Sequence, residues 1–313
     1  MRYSRSYLSV ILFFCLPKLN WTILLFNTPY ESGYMVDRNF GEFYPRSNVT
    51  RLKLPKEKYY VWEFALRSYN PEYFVHPSVI GQPWADSENV KKYVNKFNEL
   101  DGYIDRRRCC NVKYELDYNT GRPLNPSGRT GICGRGLLGR WGPNHSAFLI
   151  VTRWFRDHNG DKVNMPSSGK PLLEFVTVKF NGEWGIPGGF IEGKETYMDR
   201  GRKEFLEEAL NASNMTAKES KSILKHLETV MDDNCHFVYR GYMKDERNTD
   251  NAWVEGAVTT VHDKKGEHFM ALPLSPGDGA EDVKWLIVHS DMTFNPTHKT
   301  FMKVVTDIHG AHW

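Results

Sequence analysis

Residues 189–210 read Gly189-Phe190-Ile191-Glu192-Gly193-Lys194-Glu195-Thr196-Tyr197-Met198-Asp199-Arg200-Gly201-Arg202-Lys203-Glu204-Phe205-Leu206-Glu207-Glu208-Ala209-Leu210. A tight Gly/Pro corner, Gly185-Ile186-Pro187-Gly188-Gly189, leads in, and a helix is predicted over 197–210. At about 100° per residue with Glu204 at zero, Glu208 falls near 40° and Glu207 near −60°. On the same wheel Phe205, Ala209 and Leu206 fall at about 100°, 140° and 200°. One helix would therefore bury an apolar stripe and present three carboxylates together. Like charges at that spacing repel by about 1 kcal/mol per pair even in water. A hard divalent cation relieves the repulsion, since Mg²⁺ takes carboxylate oxygens and keeps phosphate and water in its shell. Glu-x-x-Glu-Glu alone is more often a solvated acidic face. The longer register, with Gly189 six residues before Glu195 and Lys203-Glu204 eight and nine residues further on, makes that reading improbable.

This register resembles the Nudix box, G-x5-E-x7-R-E-U-x-E-E-x-G-U, with Phe205 as the bulky apolar position. The resemblance implies an α/β Nudix fold, a mixed β-sheet sandwiched between helices. It implies Glu204, Glu207 and Glu208 as catalytic residues and metal ligands, joined by the Gly189 carbonyl, with Glu195 and Lys203 orienting the box. Lys203 stands where the family has Arg and keeps the charge without the planar fork. Leu210 and Asn211 replace a glycine and an apolar residue.

Outside the box, Gly128–Gly131, Gly134–His145 and Arg247–Trp253 are similar to the mitochondrial ADP-ribose pyrophosphatase family. They are equally similar to the Nudix-like domain of the ADP-ribose-gated cation channel. Glu207–Asn211 matches the pyrophosphatase end of the box, so Leu210 and Asn211 read as features of that branch. Gly279–Trp285 and Gly310–Trp313 match too, and the resemblance covers residues 50–313. It implies Mg²⁺-dependent (or Mn²⁺-dependent) cleavage of ADP-ribose to AMP and ribose 5-phosphate. Asp245 would accept from ribose hydroxyls and Arg247 would pair with phosphate. One box glutamate, or Glu195, would take the proton from the attacking water. The alternatives are a sensor that binds ADP-ribose without cutting it, and a hydrolase of another nucleoside-diphosphate derivative. The surviving carboxylates and the lack of a channel-like membrane region favour a free enzyme.

Gly134-x-Gly136-x-x-Gly139 fits the dinucleotide-binding fingerprint, but a Gly/Arg loop precedes it and Trp141-Gly142-Pro143 follows at once. That fingerprint requires a strand before and a helix after. We read the stretch as a rigid loop with Arg135 and Arg140 either facing phosphate or packing at a domain junction, the latter being the favoured reading. Asn251 and Trp253 are expected to anchor a turn and the core, and His298 to cap or pack.

Around these motifs, strands are expected at Ala147–Phe155, Leu172–Phe180, Phe237–Tyr242, Ala252–Val261 and Val283–Val288. Helices are expected at Thr216–Met231 and His298–Ile308, with a strand at Val61–Phe64 and a helix at Glu88–Leu100 further upstream. Glycine and proline density between Asn119 and His145 sets the division: a 1–30 extension, a smaller α+β region at 31–145, and the Nudix domain at 146–313.

The 313 residues, 40% apolar and 25% charged, describe a folded chain, and a net charge of +3 implies neither a nucleic-acid nor a membrane partner. A monomer is expected. Cys15, Cys109, Cys110, Cys133 and Cys235 are odd in number and lack Cys-x-x-Cys spacing, which argues against disulfides and a zinc site. Met1–Asn27 carries Arg2, Arg5 and Lys18 and no acid, with Pro17 and Lys18 breaking its apolar runs. A single membrane span is therefore a poor fit. The segment reads as mitochondrial targeting, as a secretory leader, or as an extension with no fold role and a cytoplasmic protein.

Overall fold

The computed structural model describes residues 40–90, 96–110, 112–270 and 272–313. The targeting reading of residues 1–30 lies outside them, as do residues 91–95 of the helix expected at Glu88–Leu100. In the described part of the latter, residues 97–99 bend and Asn98 takes a left-handed φ of 59°, so no helix reaches Leu100. Val61–Phe64 is a turn and not a strand. No helix of the described residues is long and apolar enough to cross a membrane.

The N-terminal region contributes a 3-10 turn at Glu57–Tyr60 and four short strands. These are β1 (Glu72–Val75), β2 (Leu100–Asp101), β3 (Ile104–Asp105) and β4 (Ile132–Gly136); β1 and β4 pair in parallel, and β2 and β3 form a hairpin. Beyond it come β5 (Gly142–Trp154), β6 (Leu173–Phe180), β7 (Glu183–Gly185) and β8 (Gly188–Phe190). Next are α1 (Tyr197–Glu204), continued by a π-helical turn at Phe205–Ala209, then α2 (Ala217–Asn234) and β9 (Cys235–Tyr242). β10 (Ala252–Asp263), β11 (Asp282–Ile287) and α3 (Pro296–His309) complete the chain.

The main sheet runs β11-β6-β5-β10-β9, with β7 on β6 and β8 on β5. It is mixed, because β5 and β10 pair in parallel over their whole length while β5–β6, β6–β11 and β9–β10 are antiparallel. Alternation along the strands sends side chains to two faces. Ile150, Leu173 and Phe175 face Phe301, Met302 and Val305 of α3. Leu149, Val151, Val176 and Val178 face Phe205, Leu206 and Ala209 of the π turn and Leu227 of α2. The sheet is thus sandwiched between helices, as expected.

β5 starts at Gly142, opposite Ala252, so the first four of its residues precede the 145/146 division. Parallel pairing with β10, which is buried throughout, carries the strand through Gly142-Pro143, a pair that reads as a turn in isolation. Arg106 donates to Asp86 and Asp101, and the same Asp86 accepts from Arg140 and from the Trp141 N–H. Arg135, 1% exposed, donates to the Gly139 carbonyl and pairs with Glu88. The arginines of the glycine-rich loop are therefore structural. Asn251 accepts from the Gly134 N–H and donates to the Pro123 carbonyl, and Trp253 is fully buried.

His309 of α3 stacks on His262 of β10 with ring centroids 4.3 Å apart, and Trp154 stands edge-on to both. Neither Nε2 has a hydrogen-bond partner among the described residues, and His262 Nδ1 lies 3.0 Å from Thr152 Oγ1. Burial pushes His262 down from 6.5 to about 3, helped by His309, Lys162 and Lys264 against Asp263. Burial and His236 push His309 down to about 4. Between pH 6.5 and these values the unfolded chain binds protons that the folded chain refuses. The stability is complete above 6.5 and is lost as pH falls through that window. Urea unfolding should weaken between pH 7 and pH 5 by up to about 1.4 kcal/mol per pH unit for each histidine. His309→Leu should flatten that dependence; an unchanged slope would refute the assignment.

Candidate active site

The carboxylate helix opens on a capping box: Thr196 accepts from the Asp199 N–H, and Asp199 accepts from the Thr196 N–H. Its apolar face packs under the sheet, which fixes where its acids point. The helix is not uniformly α. Phe205–Ala209 forms a π turn, and the segment ends at Asn211 in the left-handed region, with φ 54°. Leu210, where the box has glycine, keeps a negative φ of −122°; the left-handed residue comes one position later, at Asn211. Asn is among the few residues that accept this conformation at small cost.

The wider turn changes which acids meet. Carboxylate oxygens of Glu204, Glu207 and Asp278 lie within 4.8 Å of one another. Glu208 is not in this cluster. Its Oε2 instead accepts from the Gly188 N–H at 3.0 Å. Burial, reinforced by Glu204 and Asp278, lifts the Glu208 carboxyl to about 8. Burial and Glu207 likewise raise Glu204, against the pull of Arg200. Crowded, partly desolvated carboxylates of this kind are stabilised by a cation.

Gly188 and Gly189 allow the close approach. A Cβ on Gly189 would sit 2.0 Å from Glu204 Oε1, and one on Gly188 would sit 2.5 Å from the Ala147 carbonyl. Asp278 lies in the loop after Pro276, 70 residues beyond Glu208, and no spacing rule in the sequence points to it.

The guanidinium that Lys203 lacks comes from one turn earlier. Arg200, 9% exposed, pairs with Glu204 at i,i+4 and reaches Glu192 at 3.2 Å and Glu195 at 3.6 Å. Lys203 reaches the same two loop acids, Glu192 at 3.5 Å and Glu195 at 3.6 Å, but not Glu204. Glu195 also accepts from the Glu192 N–H at 3.1 Å. Lys203 and Glu195 thus tie the loop to the helix, and Arg200 holds the buried Glu204.

Asp245 and Arg247 form a bidentate pair at 2.8 and 2.6 Å, and Asp245 also accepts from the Arg247 N–H. Arg247 holds Asp245 below the usual carboxylate range in spite of its burial. The Arg247 guanidinium lies 4.9 Å from the centre of the Phe190 ring, beside Gly189, which joins this pair to the carboxylate cluster. His298 Nδ1 accepts from the Ile186 N–H at 3.1 Å and so supports the Gly185–Pro187 corner from the first turn of α3. Burial pushes it down to about 4, so it is neutral.

Residues 54–142 match the family described as the NUDT9-like N-terminal domain. The mitochondrial ADP-ribose pyrophosphatase of Rattus norvegicus is 42% identical, over 86% of this chain and 77% of that protein. Putative nudix hydrolase 6 of Caenorhabditis elegans is 39% identical, over 87% of this chain and 96% of that protein. Transient receptor potential cation channel subfamily M member-like 2 of Nematostella vectensis is 35% identical over 86% of this chain, which spans 17% of that protein. Relatives of this identity and coverage, together with the helix, corner and carboxylates above, show that the chain belongs to the Nudix hydrolases.

Proposed function

We propose that the chain hydrolyses the pyrophosphate link of ADP-ribose to AMP and ribose 5-phosphate, with Mg²⁺ or Mn²⁺ as its cation. The observation that carries the reading is the convergence of the Glu204 and Glu207 carboxylates beside Gly189. A domain that only sensed the nucleotide would have no need of them. Hard oxygen donors at this spacing fit a hard divalent ion, and the Gly189 carbonyl is a further candidate donor. When bound, such an ion neutralises phosphate charge and acidifies a water.

The chain's own groups do the positioning. Arg200 fixes the rotamer of Glu204, and the Gly188 N–H fixes Glu208. Glu208, outside the three-acid cluster, would accept the proton of the attacking water once a bound cation offsets the neighbouring carboxylate charge that, with burial, holds it protonated. Asp245 offers oxygens to ribose hydroxyls. Arg247 already gives Nε and Nη2 to Asp245, so a phosphate would meet Nη1 or displace that pair. A mitochondrial location is supported by the name of the rat relative and by the acid-free Met1–Asn27. We infer a monomer, and a division into an N-terminal region and a Nudix domain near Trp141–His145.

Steady-state kcat/KM on ADP-ribose, NADH and a UDP-sugar tests the substrate assignment. ADP-ribose should lead. A higher value on either competitor would reassign the substrate, and tight binding of ADP-ribose without turnover would make the chain a sensor. The orienting role assigned to Arg200 predicts that Arg200→Ala lowers kcat by about 10–100-fold, the usual cost of losing a group that orients a metal ligand. Lys203→Ala should stay within a few-fold. The reverse ranking in parallel assays would return that role to Lys203.

A further inference from the structure

We propose that Tyr44 and Arg51, from the stretch ahead of the 3-10 turn, are positioning residues for the substrate: they hold the loop that carries Asp245 and Arg247. The proposal rests on the reading of Asp245 and Arg247 as substrate contacts given above, and adds what sets their geometry.

The loop joins β9 to β10, and three successive carbonyls in it are held by these two side chains. Arg51 Nη2 donates to the Glu246 carbonyl at 2.6 Å and to the Asn248 carbonyl at 3.1 Å. Tyr44 Oη donates to the Arg247 carbonyl between them at 2.7 Å. Asn248 fastens the same loop to the sheet, accepting from the Val254 N–H and donating to the Met243 carbonyl. Tyr44 and Arg51 are themselves fixed. Tyr44, 1% exposed, accepts from the Leu137 N–H at 2.8 Å and stands edge-on to Phe74. Arg51 Nη1 donates to the Thr130 carbonyl, and its guanidinium lies 4.5 Å from the Phe40 ring centre and 5.0 Å from that of Tyr44. A glycine makes room for the hydroxyl: a Cβ on Gly136 would lie 2.0 Å from Tyr44 Oη. The Tyr44 N–H donates to the Val49 carbonyl, the Arg51 N–H to Glu42 and the Leu52 N–H to Gly131, which closes the stretch on itself and onto the approach to β4.

These bonds act on the peptides on either side of the guanidinium. Tyr44 fixes the Arg247 carbonyl, and the Arg247 N–H is fixed by Asp245. The pair therefore stands on a backbone with little freedom before any ligand arrives, and a ligand is spared the cost of ordering the loop. Burial pushes the Tyr44 hydroxyl up to about 12, so it keeps the proton that it donates. Among the described residues neither Tyr44 nor Arg51 bonds to the carboxylate helix. Loss of either should therefore appear in KM and leave kcat nearly unchanged.

Steady-state kinetics of the whole chain on ADP-ribose with Mg²⁺ tests this. Tyr44→Phe should raise KM by about 5–10-fold, the scale of one buried hydrogen bond, with kcat within about 3-fold of wild type. Tyr69→Phe is the control. It removes a hydroxyl that bonds Asp250 and the Gly131 N–H, just beyond the loop, and should lower the melting temperature at wild-type KM. If Tyr44→Phe behaves in that way too, losing melting temperature or folded fraction at constant KM, its role is structural alone and the proposal is overturned. Wild-type KM in Asp245→Asn would overturn it as well, because the loop would then not meet the substrate. ADP-ribose bound by wild type without turnover would sink the hydrolase reading alone. Calorimetric Kd then decides the present one: the same 5–10-fold weakening in Tyr44→Phe, at about that scale for one hydrogen bond, supports it, and a wild-type Kd overturns it.

Discussion

Glu204→Gln should lower kcat on ADP-ribose by about 10³-fold, the equivalent of about 4 kcal/mol of transition-state stabilisation. Glutamine fills the same volume beside Gly189 but removes the charge that faces both the cation and Arg200. Glu204 is 2% exposed, so no solvent charge can substitute for it. Removing it also leaves Arg200 with Glu192 and Glu195, both on the loop that precedes the helix. Secondary structure should be unchanged, because the apolar stripe of Phe205, Leu206 and Ala209 does the packing. A loss below about 10-fold would contradict the placement of Glu204 at the metal.

Glu255→Ala should destabilise the whole chain by about 3–5 kcal/mol, the usual cost of removing one partner of a buried charge pair. Glu255 is fully buried on β10 and accepts from Arg108 Nε at 2.8 Å, the Cys109 N–H at 2.6 Å and Trp253 Nε1 at 3.1 Å. Alanine takes the carboxylate away from Arg108 Nε, a backbone N–H and an indole N–H at a fully buried position. The same cluster reaches the carboxylate helix: Tyr197 Oη lies 2.9 Å from Cys109 Sγ and 2.8 Å from His145 Nδ1. The N-terminal region and the start of α1 should therefore loosen together. Urea unfolding measures the loss, and a change under about 1 kcal/mol would show the pair to be dispensable.

The sequence already carried the sheet and its covering helices. Strand alternation and the apolar stripe at Phe205, Leu206 and Ala209 depend on local periodicity, and the elements from β6 to α3 other than β7 and β8, which the sequence reading left as a Gly/Pro corner, lie within a few residues of their expected limits. What escaped depends on contacts made at long range. Gly142-Pro143 opens a strand because β10 lies beside it. Leu100 belongs to a hairpin because Ile104 and Asp105 return to it. At the site, the register from Gly189 to Glu208 pointed to the carboxylate helix, but the wheel that set Glu204, Glu207 and Glu208 on one arc assumed uniform α geometry. The π turn brings Glu204 and Glu207 to Asp278 and leaves Glu208 on the Gly188 N–H. Arg200 was hidden for a related reason: the motif looks for the cation at position 203, and the structure takes it from the preceding turn.

We propose that Glu204, Glu207 and Glu208 together make this chain a metal-dependent ADP-ribose hydrolase. AMP release from ADP-ribose by the purified chain, with Mg²⁺ and again in EDTA, beside a Glu207→Gln/Glu208→Gln variant, tests it most directly. Stoichiometric AMP and ribose 5-phosphate are expected with Mg²⁺, none in EDTA, and a loss of at least about 10³-fold in the variant. Turnover that survives either the chelator or the double substitution would contradict it.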